Sequence, residues 1–246
     1  MNQFVSFSGG KDSTALALLM EEATPIFADT GAEFDEIYAH IDKFERVTGR
    51  EVVRVSAGQS LLDYIKRSKF LPGHKARFCT RMFKIEPINA FLQARLPAEL
   101  CIGLRADEPE DMRVGNLTEM PGLTIRYPLR EQGIGLWDVL RICTRYDLLP
   151  RYPVYMARGG CKNCFYKRKA EVWAMAQLVP EVLNELQALE EGVQDERGRF
   201  AMMFPNAGAS IADIRAQAFM FAPEDVYRDA AISEDKGQAC GLFCHR

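Results

Sequence analysis

Phe4-Val5-Ser6-Phe7 runs directly into Ser8-Gly9-Gly10-Lys11-Asp12-Ser13, and Thr14-Ala15-Leu16-Ala17-Leu18-Leu19-Met20 follows without a break. The first stretch has strand character and the last has helix character, so the six residues between them form a strand-to-helix loop. Two glycines let the backbone turn tightly and bring bare N–H groups against an anion. The positive end of the following helix points at the same spot. Ser8 and Ser13 add hydroxyls and Lys11 a full charge, which together make a phosphate-sized cradle. It is neither of two common cradles. A Walker A loop needs four residues between its first glycine and the Gly-Lys pair, and a dinucleotide fingerprint needs three spaced glycines.

Outward from the loop, strands alternate with helices. The pattern predicts strands at Phe4–Phe7, Thr24–Asp29, Val52–Val55, Leu100–Leu104 and Ile125–Tyr127. Helices are predicted over 11–22, Glu33–Thr48, Leu61–Arg67 and Ile85–Leu96, with Pro72-Gly73 as a break. Such alternation implies an α/β fold with a parallel sheet, whose ligands lie beyond the carboxyl ends of the strands. Ser8, Asp29 and Gly103 each follow a predicted strand and are expected to line one crevice. From Leu136 the chain turns helical, with Leu136–Arg145, Lys169–Glu191 divided at Pro180, and Ile211–Phe219. The expected organisation is an α/β nucleotide-binding domain over 1–150 and a helical, cysteine-bearing extension over 151–246 packed on it.

The 246 residues are 48% hydrophobic and 26% charged, an ordinary composition for a soluble globular protein. No apolar run approaches the roughly 20 residues of a membrane span, and Met1-Asn2-Gln3 leads straight into the first strand. A cytoplasmic location is expected, without a membrane partner. Seven cysteines in a reducing compartment point to metal, cluster or sulfur chemistry rather than disulfides. The net charge of −3 carries no overall nucleic-acid signature, but its distribution is uneven. Lys66, Arg67, Lys69, Lys75, Arg77, Arg81 and Lys84 form an acid-free run around Cys79. Arg151, Arg158, Lys162, Lys167, Arg168 and Lys169 form another around Cys161 and Cys164. A solvated face is one reading of each run, and an anionic substrate meeting a sulfur centre is the other.

In Gly160-Cys161-Lys162-Asn163-Cys164 the spacing lets two sulfurs reach one metal centre, either an iron–sulfur cluster or zinc. The glycines and polar residues around it suggest an exposed loop. Cys79 sits among cations that favour its thiolate and is taken as a third ligand. Cys240 and Cys244 compete for the fourth place, with the other carrying sulfur as a persulfide. If only three cysteines bind, an open iron is left to hold sulfide. Cys101 and Cys143 lie in apolar elements and are read as core. His40, His74 and His245 have no partner visible in sequence, and Trp137 and Trp173 are read as packing. Lys84 and Arg105 are candidates to clamp phosphates.

Ser-Gly-Gly-Lys-Asp-Ser between strand and helix resembles the pyrophosphate loop (PP-loop) of the ATP pyrophosphatases, which cleave ATP between the α and β phosphates and leave AMP on an acceptor. Phe27-Ala28-Asp29-Thr30-Gly31-Ala32-Glu33-Phe34 resembles the second-strand segment of the phosphoadenosine phosphosulfate (PAPS) reductase-like branch, where that strand end lies against adenine. Arg77-Phe78-Cys79-Thr80 with Lys84 and Pro87 is similar to the branch's central cysteine segment. Gly103-Leu104-Arg105 with Arg113 is similar to its Gly-x-Arg signature, and Cys161 to Cys164 to its Cys-x-x-Cys turn. Ala239-Cys240-Gly241-Leu242 is similar to the late catalytic motif of true PAPS reductases. Their phosphate loop is degenerate, however, and this one is complete. Thr80 after Cys79 lacks the adjacent cysteine pair of the cluster-bearing adenosine phosphosulfate reductases. The set as a whole most resembles the sulfur-transfer enzyme of DNA phosphorothioation and the cluster-dependent tRNA thiolation enzymes.

The resemblance implies an adenine nucleotide alpha hydrolase-like core that uses ATP, Mg²⁺ and a [4Fe-4S] cluster. It implies ATP-dependent activation of a nucleic acid followed by sulfur transfer, with a donor such as a cysteine desulfurase. The implied nucleotide-binding residues are Ser8, Gly9, Gly10, Lys11, Ser13, Phe27, Ala28, Asp29, Gly103 and Arg105. Lys11, Asp12, Cys240 and Cys244 are the implied catalytic residues, Asp12 being a Mg²⁺ ligand. Cys79, Cys161, Cys164 and Cys244 are the implied cluster ligands. Reduction of PAPS or adenosine phosphosulfate by Cys240 is the competing activity. A nucleotide-binding subunit with a structural metal is the non-catalytic alternative. The assembly state, a homodimer among the options, is left open by the sequence.

Overall fold

Five parallel strands form the centre of the molecule: β1 (Asn2–Ser6), β2 (Thr24–Asp29), β3 (Val53–Ser56), β4 (Ala98–Cys101) and β5 (Leu123–Arg126), in the order β3-β2-β1-β4-β5. The computed structural model describes residues 1–109, 120–156, 158–193, 201–220, 222–224 and 226. Register is set by alternation. Val5, Phe27 and Cys101 enter the apolar cluster on one face, whereas Phe4, Ile26, Ala28 and Leu100 enter the cluster on the other. Both faces are covered, as expected for a parallel sheet.

α1 (Lys11–Leu19) and α2 (Asp35–Thr48) share the first cluster, as do Leu61, Leu62 and Ile65 of α3 (Leu61–Ser68). The short α4 (Phe78–Thr80) passes through a π-helical turn, Arg81–Ile85, into α5 (Glu86–Gln93). From α5, Ile88 and Leu92 cover the opposite face. The connection therefore changes face between β3 and β4, and the strand order reverses beside β1. This is the switch point where open α/β sheets bind ligands. Ser8, Asp29 and Gly103 follow the ends of the adjacent strands β1, β2 and β4, on the carboxyl edge as the sequence predicts.

α1 is buried from Ser13 through Leu18, enclosed by the sheet and by α7 (Leu136–Arg145), which follows the four-residue α6 (Pro128–Glu131). Its far end is closed by Arg50, whose guanidinium donates to the carbonyls of Ala17 (2.6 Å), Met20 (3.1 Å) and Ala23. Those carbonyls have no partner within the helix, and a cation suits the negative end. The long predicted helix is divided at Pro180 into α8 (Lys169–Leu178) and α9 (Pro180–Glu191), and α10 is Ile211–Gln217. Val172, Trp173, Leu183 and Ile214 of these helices join the same buried cluster as Val5 and Phe27.

Among the described residues no helix is long and apolar enough to cross a membrane. Trp173 is core as expected, but Trp137 is 81% exposed and joins neither apolar cluster of the described residues. It occupies the second position of α7, one residue from the buried stripe of Val139 and Cys143.

Candidate active site

The loop after β1 is held from behind by its oxygens. Ser13 Oγ donates to the Gly10 carbonyl (3.0 Å) and accepts from the Ser8 amide (3.1 Å). Tyr152 Oη donates to the Gly9 carbonyl (3.1 Å), and Cys143 Sγ to the Lys11 carbonyl (3.4 Å). The first N–H groups of α1 have no acceptor inside the helix and remain for an anion. Gly9 has a φ of +71°, and a Cβ there would meet Ile37 Cγ2 at 3.1 Å, so the turn requires glycine. Lys11 is half-buried, and none of the described residues forms an ion pair with it.

Asp12 is committed. Arg105, buried at 8% exposure, donates from Nη1 to Asp12 Oδ1 (3.1 Å) and from Nε to Asp107 Oδ1 (2.8 Å). Burial alone would lower the guanidinium pKa, but Asp12, Asp107 and Glu108 outweigh it and hold it above the ordinary range. Asp107 Oδ2 in turn accepts the Leu136 amide (3.1 Å) at the start of α7. The structure thus brings Asp12 and Arg105 together with each other, as an ion-pair hub beneath the loop.

Gly103 lies under the first turn of α1. A Cβ there would stand 3.0 Å from Asp12 C and 3.1 Å from both Asp12 O and Ser13 N, all backbone atoms that cannot swing aside. Gly103→Ala is therefore expected to cost about 1–3 kcal/mol in stability and to displace the loop. Chemical denaturation and ATP affinity, measured side by side, check both effects.

Thr14 Oγ1 meets His40 Nε2 at 3.0 Å, both buried. Burial, helped by the Lys43 charge, lowers the His40 pKa to about 4, so the ring is neutral in the folded protein at neutral pH. An unfolded histidine titrates near 6.5. The unfolded chain therefore binds the extra proton between these values, and stability falls as pH drops from about 6.5 to 4, by an amount on the order of 2–3 kcal/mol. Denaturation midpoints across this window should slope in the wild type, and the His40→Gln variant should lose most of that slope.

At the β2 end, Phe27 and Ala28 are buried, and Phe27 meets Tyr38 edge-on with ring centres 6.2 Å apart. Asp29 Oδ1 accepts from the Gly31 amide (2.8 Å) and Tyr38 Oη (2.7 Å). The turn that follows carries a contact the sequence did not announce. Glu33, 4% exposed, accepts from the Thr30 hydroxyl (2.8 Å), the Thr30 amide (3.2 Å), the Ala32 amide (3.3 Å) and Cys161 Sγ (3.4 Å). Backbone pairing joins Glu33 to Cys161, and the Lys162 amide donates to the Ala32 carbonyl (2.7 Å). Glu33 and Thr30 belong to the segment that marks the second strand, yet spacing alone could not pair them with a cysteine so far along the chain. Tyr152 left no signal at all.

Cys161 and Cys164 line a shallow, solvent-open cleft with Lys84, Arg158, Lys167 and Glu171. The expected exposed loop is largely enclosed. Cys161 is 9% and Asn163 1% exposed, because the turn is sewn onto the β2 edge, while Cys164 is half-buried. The two basic runs meet here. Arg77 lies over the Tyr166 ring at 5.6 Å, and His74 packs on Phe165 and Tyr166 at 5.2 and 5.0 Å. Lys167 is buried with its ammonium 4.6 Å from the Phe34 ring centre, and desolvation lowers its pKa.

Cys79 sits on α4, half-buried, and is not part of the cleft lining. Among the described residues no three Cys, His, Asp or Glu side chains converge to hold a metal. The described residues supply two thiols to the cleft, fewer than the four of a thiolate-ligated cluster. Cys240 and Cys244, like Arg113, lie outside the described residues. Cys101 and Cys143 are core as read, both pushed up to about 12, by burial first and then by Glu99 and Asp12 respectively.

Residues 2–118 match the phosphoadenosine phosphosulfate reductase domain. Uncharacterized protein MJ0066 of Methanocaldococcus jannaschii is 30% identical over 111 residues, covering 42% of this chain and 23% of that protein. Uncharacterized protein MJ0973 of the same organism is 26% identical over 190 residues, covering 73% of this chain and 45% of that protein. The chain thus spans less than half the length of these two relatives. The crystal structure of phosphoadenylyl-sulfate (PAPS) reductase from Candida auris, a phosphate complex, superposes with a TM-score of 0.48 at 16% identity, over 60% of this chain and 73% of that one. Residues 2–118, just under half of the chain, are thus similar to the phosphoadenosine phosphosulfate reductase domain.

Proposed function

We propose that this protein activates a nucleic-acid acceptor with ATP, releasing pyrophosphate, and then places sulfur on it. One observation carries the reading: a complete Ser-Gly-Gly-Lys-Asp-Ser loop, tied down through its carbonyls, presents helix N–H groups at the sheet's switch point, with Lys11 in no ion pair among the described residues. These groups stabilise charge that develops on the departing pyrophosphate. The family match supports a nucleotide-using enzyme of sulfur chemistry. Adenylation turns an acceptor oxygen into a leaving group, and one thiol of the cleft takes the role of sulfur carrier. A Mg²⁺ ion arriving with ATP competes with Arg105 for Asp12. A [4Fe-4S] cluster would need Cys79 and Cys244 or Cys240 brought to this pair, and iron analysis after anaerobic preparation tests that point separately.

The test is direct. With ATP, Mg²⁺ and a candidate RNA or DNA, AMP and pyrophosphate should form in equal amounts, and ADP with phosphate should not. The two basic runs, joined at Arg77 and Tyr166, are assigned to the acceptor's backbone. Binding should therefore weaken steeply with salt, losing about 1,000-fold or more between 50 and 200 mM if six phosphates are contacted. Salt-independent binding would remove the nucleic acid from the reading. The match of residues 2–118 also supports a second reading, reduction of PAPS or adenosine phosphosulfate, for which Cys240 is the candidate nucleophile. Sulfite release from either sulfonucleotide with thioredoxin, in the absence of ATP, would establish it instead.

A further inference from the structure

The two cleft thiols are not equivalent. Cys161 is nearly covered, directs its S–H at Glu33 Oε1 (3.4 Å) and lies 3.6 Å from Thr30 Oγ1. Its sulfur is pinned against a carboxylate, which disfavours the approach of an anion. Cys164 is more open. The Lys167 amide donates to the Cys164 carbonyl (2.9 Å), so the turn continues directly into the buried lysine. Among the described residues Lys84 and Arg158 join Lys167 in the lining, with the carboxylate of Glu171, which also accepts from the Arg168 amide (2.9 Å) and Nε (3.2 Å). A cleft with this lining charge suits a small dianion at its mouth, and its more open thiol is the one such a ligand can reach.

We infer that the cleft loads sulfur from a small sulfane-sulfur oxyanion of the thiosulfate class, and that Cys164 is the acceptor. This rests on the sulfur-transfer reading above. The Cys164 thiolate attacks the outer sulfur of the donor. A new S–S bond forms at Cys164, the donor's own S–S bond breaks, and its electron pair leaves with sulfite. One thiolate and one thiosulfate dianion become one persulfide anion and one sulfite dianion, so charge balances and no external oxidant or reductant takes part. Lys84, Arg158 and Lys167 hold the sulfonate oxygens of the donor and then the departing sulfite. Cys161 keeps its contact with Glu33.

The experiment incubates the full chain with thiosulfate, without ATP, and reads sulfite release and peptide mass. The expected result is equimolar sulfite and one added sulfur atom on the peptide bearing Cys164. That product should vanish in Cys164→Ser and persist in Cys161→Ser. Lys167→Met should slow loading roughly tenfold or more, while alkylation of Cys164 by neutral iodoacetamide continues at the wild-type rate, which separates lost anion binding from a disturbed fold. Sulfur appearing on Cys161, equal loss in both serine variants, or loading by a cysteine desulfurase but never by thiosulfate would overturn the inference. Pyrophosphate release is scored in parallel. Its presence without loading removes this inference alone, and loading without it removes the ATP reading alone.

Discussion

Replacing Lys11 with alanine is expected to cut pyrophosphate release by about 100- to 1,000-fold while the folded state is unchanged. The side chain is half-buried, contributes nothing to either apolar cluster, and has no ion-pair partner among the described residues, so its loss removes no structural contact. In the proposed reaction, what disappears is a positive charge beside the N–H groups of the helix start, where the leaving pyrophosphate would gather charge. The effect should fall on kcat more than on ATP affinity, since the loop's backbone donors remain. Circular dichroism and the thermal midpoint serve as controls. Pyrophosphate release at the wild-type rate would end the ATP reading.

Arg105→Met should be the most destabilising single change near the site, at roughly 3–5 kcal/mol, because it strands Asp12 beside the buried hub. Methionine retains much of the volume, so the loss is electrostatic. Burial tends to raise the Asp107 pKa, but the Arg105 guanidinium and the Leu136 amide outweigh it and hold the carboxyl below the usual range. A depressed carboxyl stabilises the fold above its unfolded pKa, and that contribution is lost as pH falls through the folded value. The gap between wild type and variant should therefore be widest at neutral pH and narrow in acid. Urea titrations at several pH values measure it. A gap independent of pH would mean that the guanidinium acts by packing instead.

Much of this arrangement was legible in advance, for physical reasons. β2 and α7 occupy the predicted spans because local propensity and periodicity agree there, and Pro180 divides the late helix where its ring forbids a continuous one. β4 ends at Cys101 rather than Leu104, since the chain beyond it must turn to let Gly103 pass under α1. The π-helical turn that carries Lys84 was not legible, because one extra residue in a helix leaves no mark on apolar spacing. In the site, the loop could be read because its residues are contiguous. The pairing of Asp12 with Arg105, and of Glu33 with Cys161, could not, because each joins side chains far apart in the chain. Solitary cations and acids look like solvated surface until the fold brings them together.

The underside of the phosphate loop has a consequence for how the protein is made. Cys143 and Tyr152, which hold the Lys11 and Gly9 carbonyls, are 132 and 143 positions from their partners, and Cys161 is 128 from Glu33. All three lie beyond residue 118, where the recognised domain ends. During synthesis the loop therefore leaves the ribosome long before its floor exists. The early sheet can assemble from its own neighbours, but the nucleotide edge is finished only when the later chain closes over it, and contacts of such separation are slow to form. A fragment cut at residue 118 would keep the motif and lack its foundation.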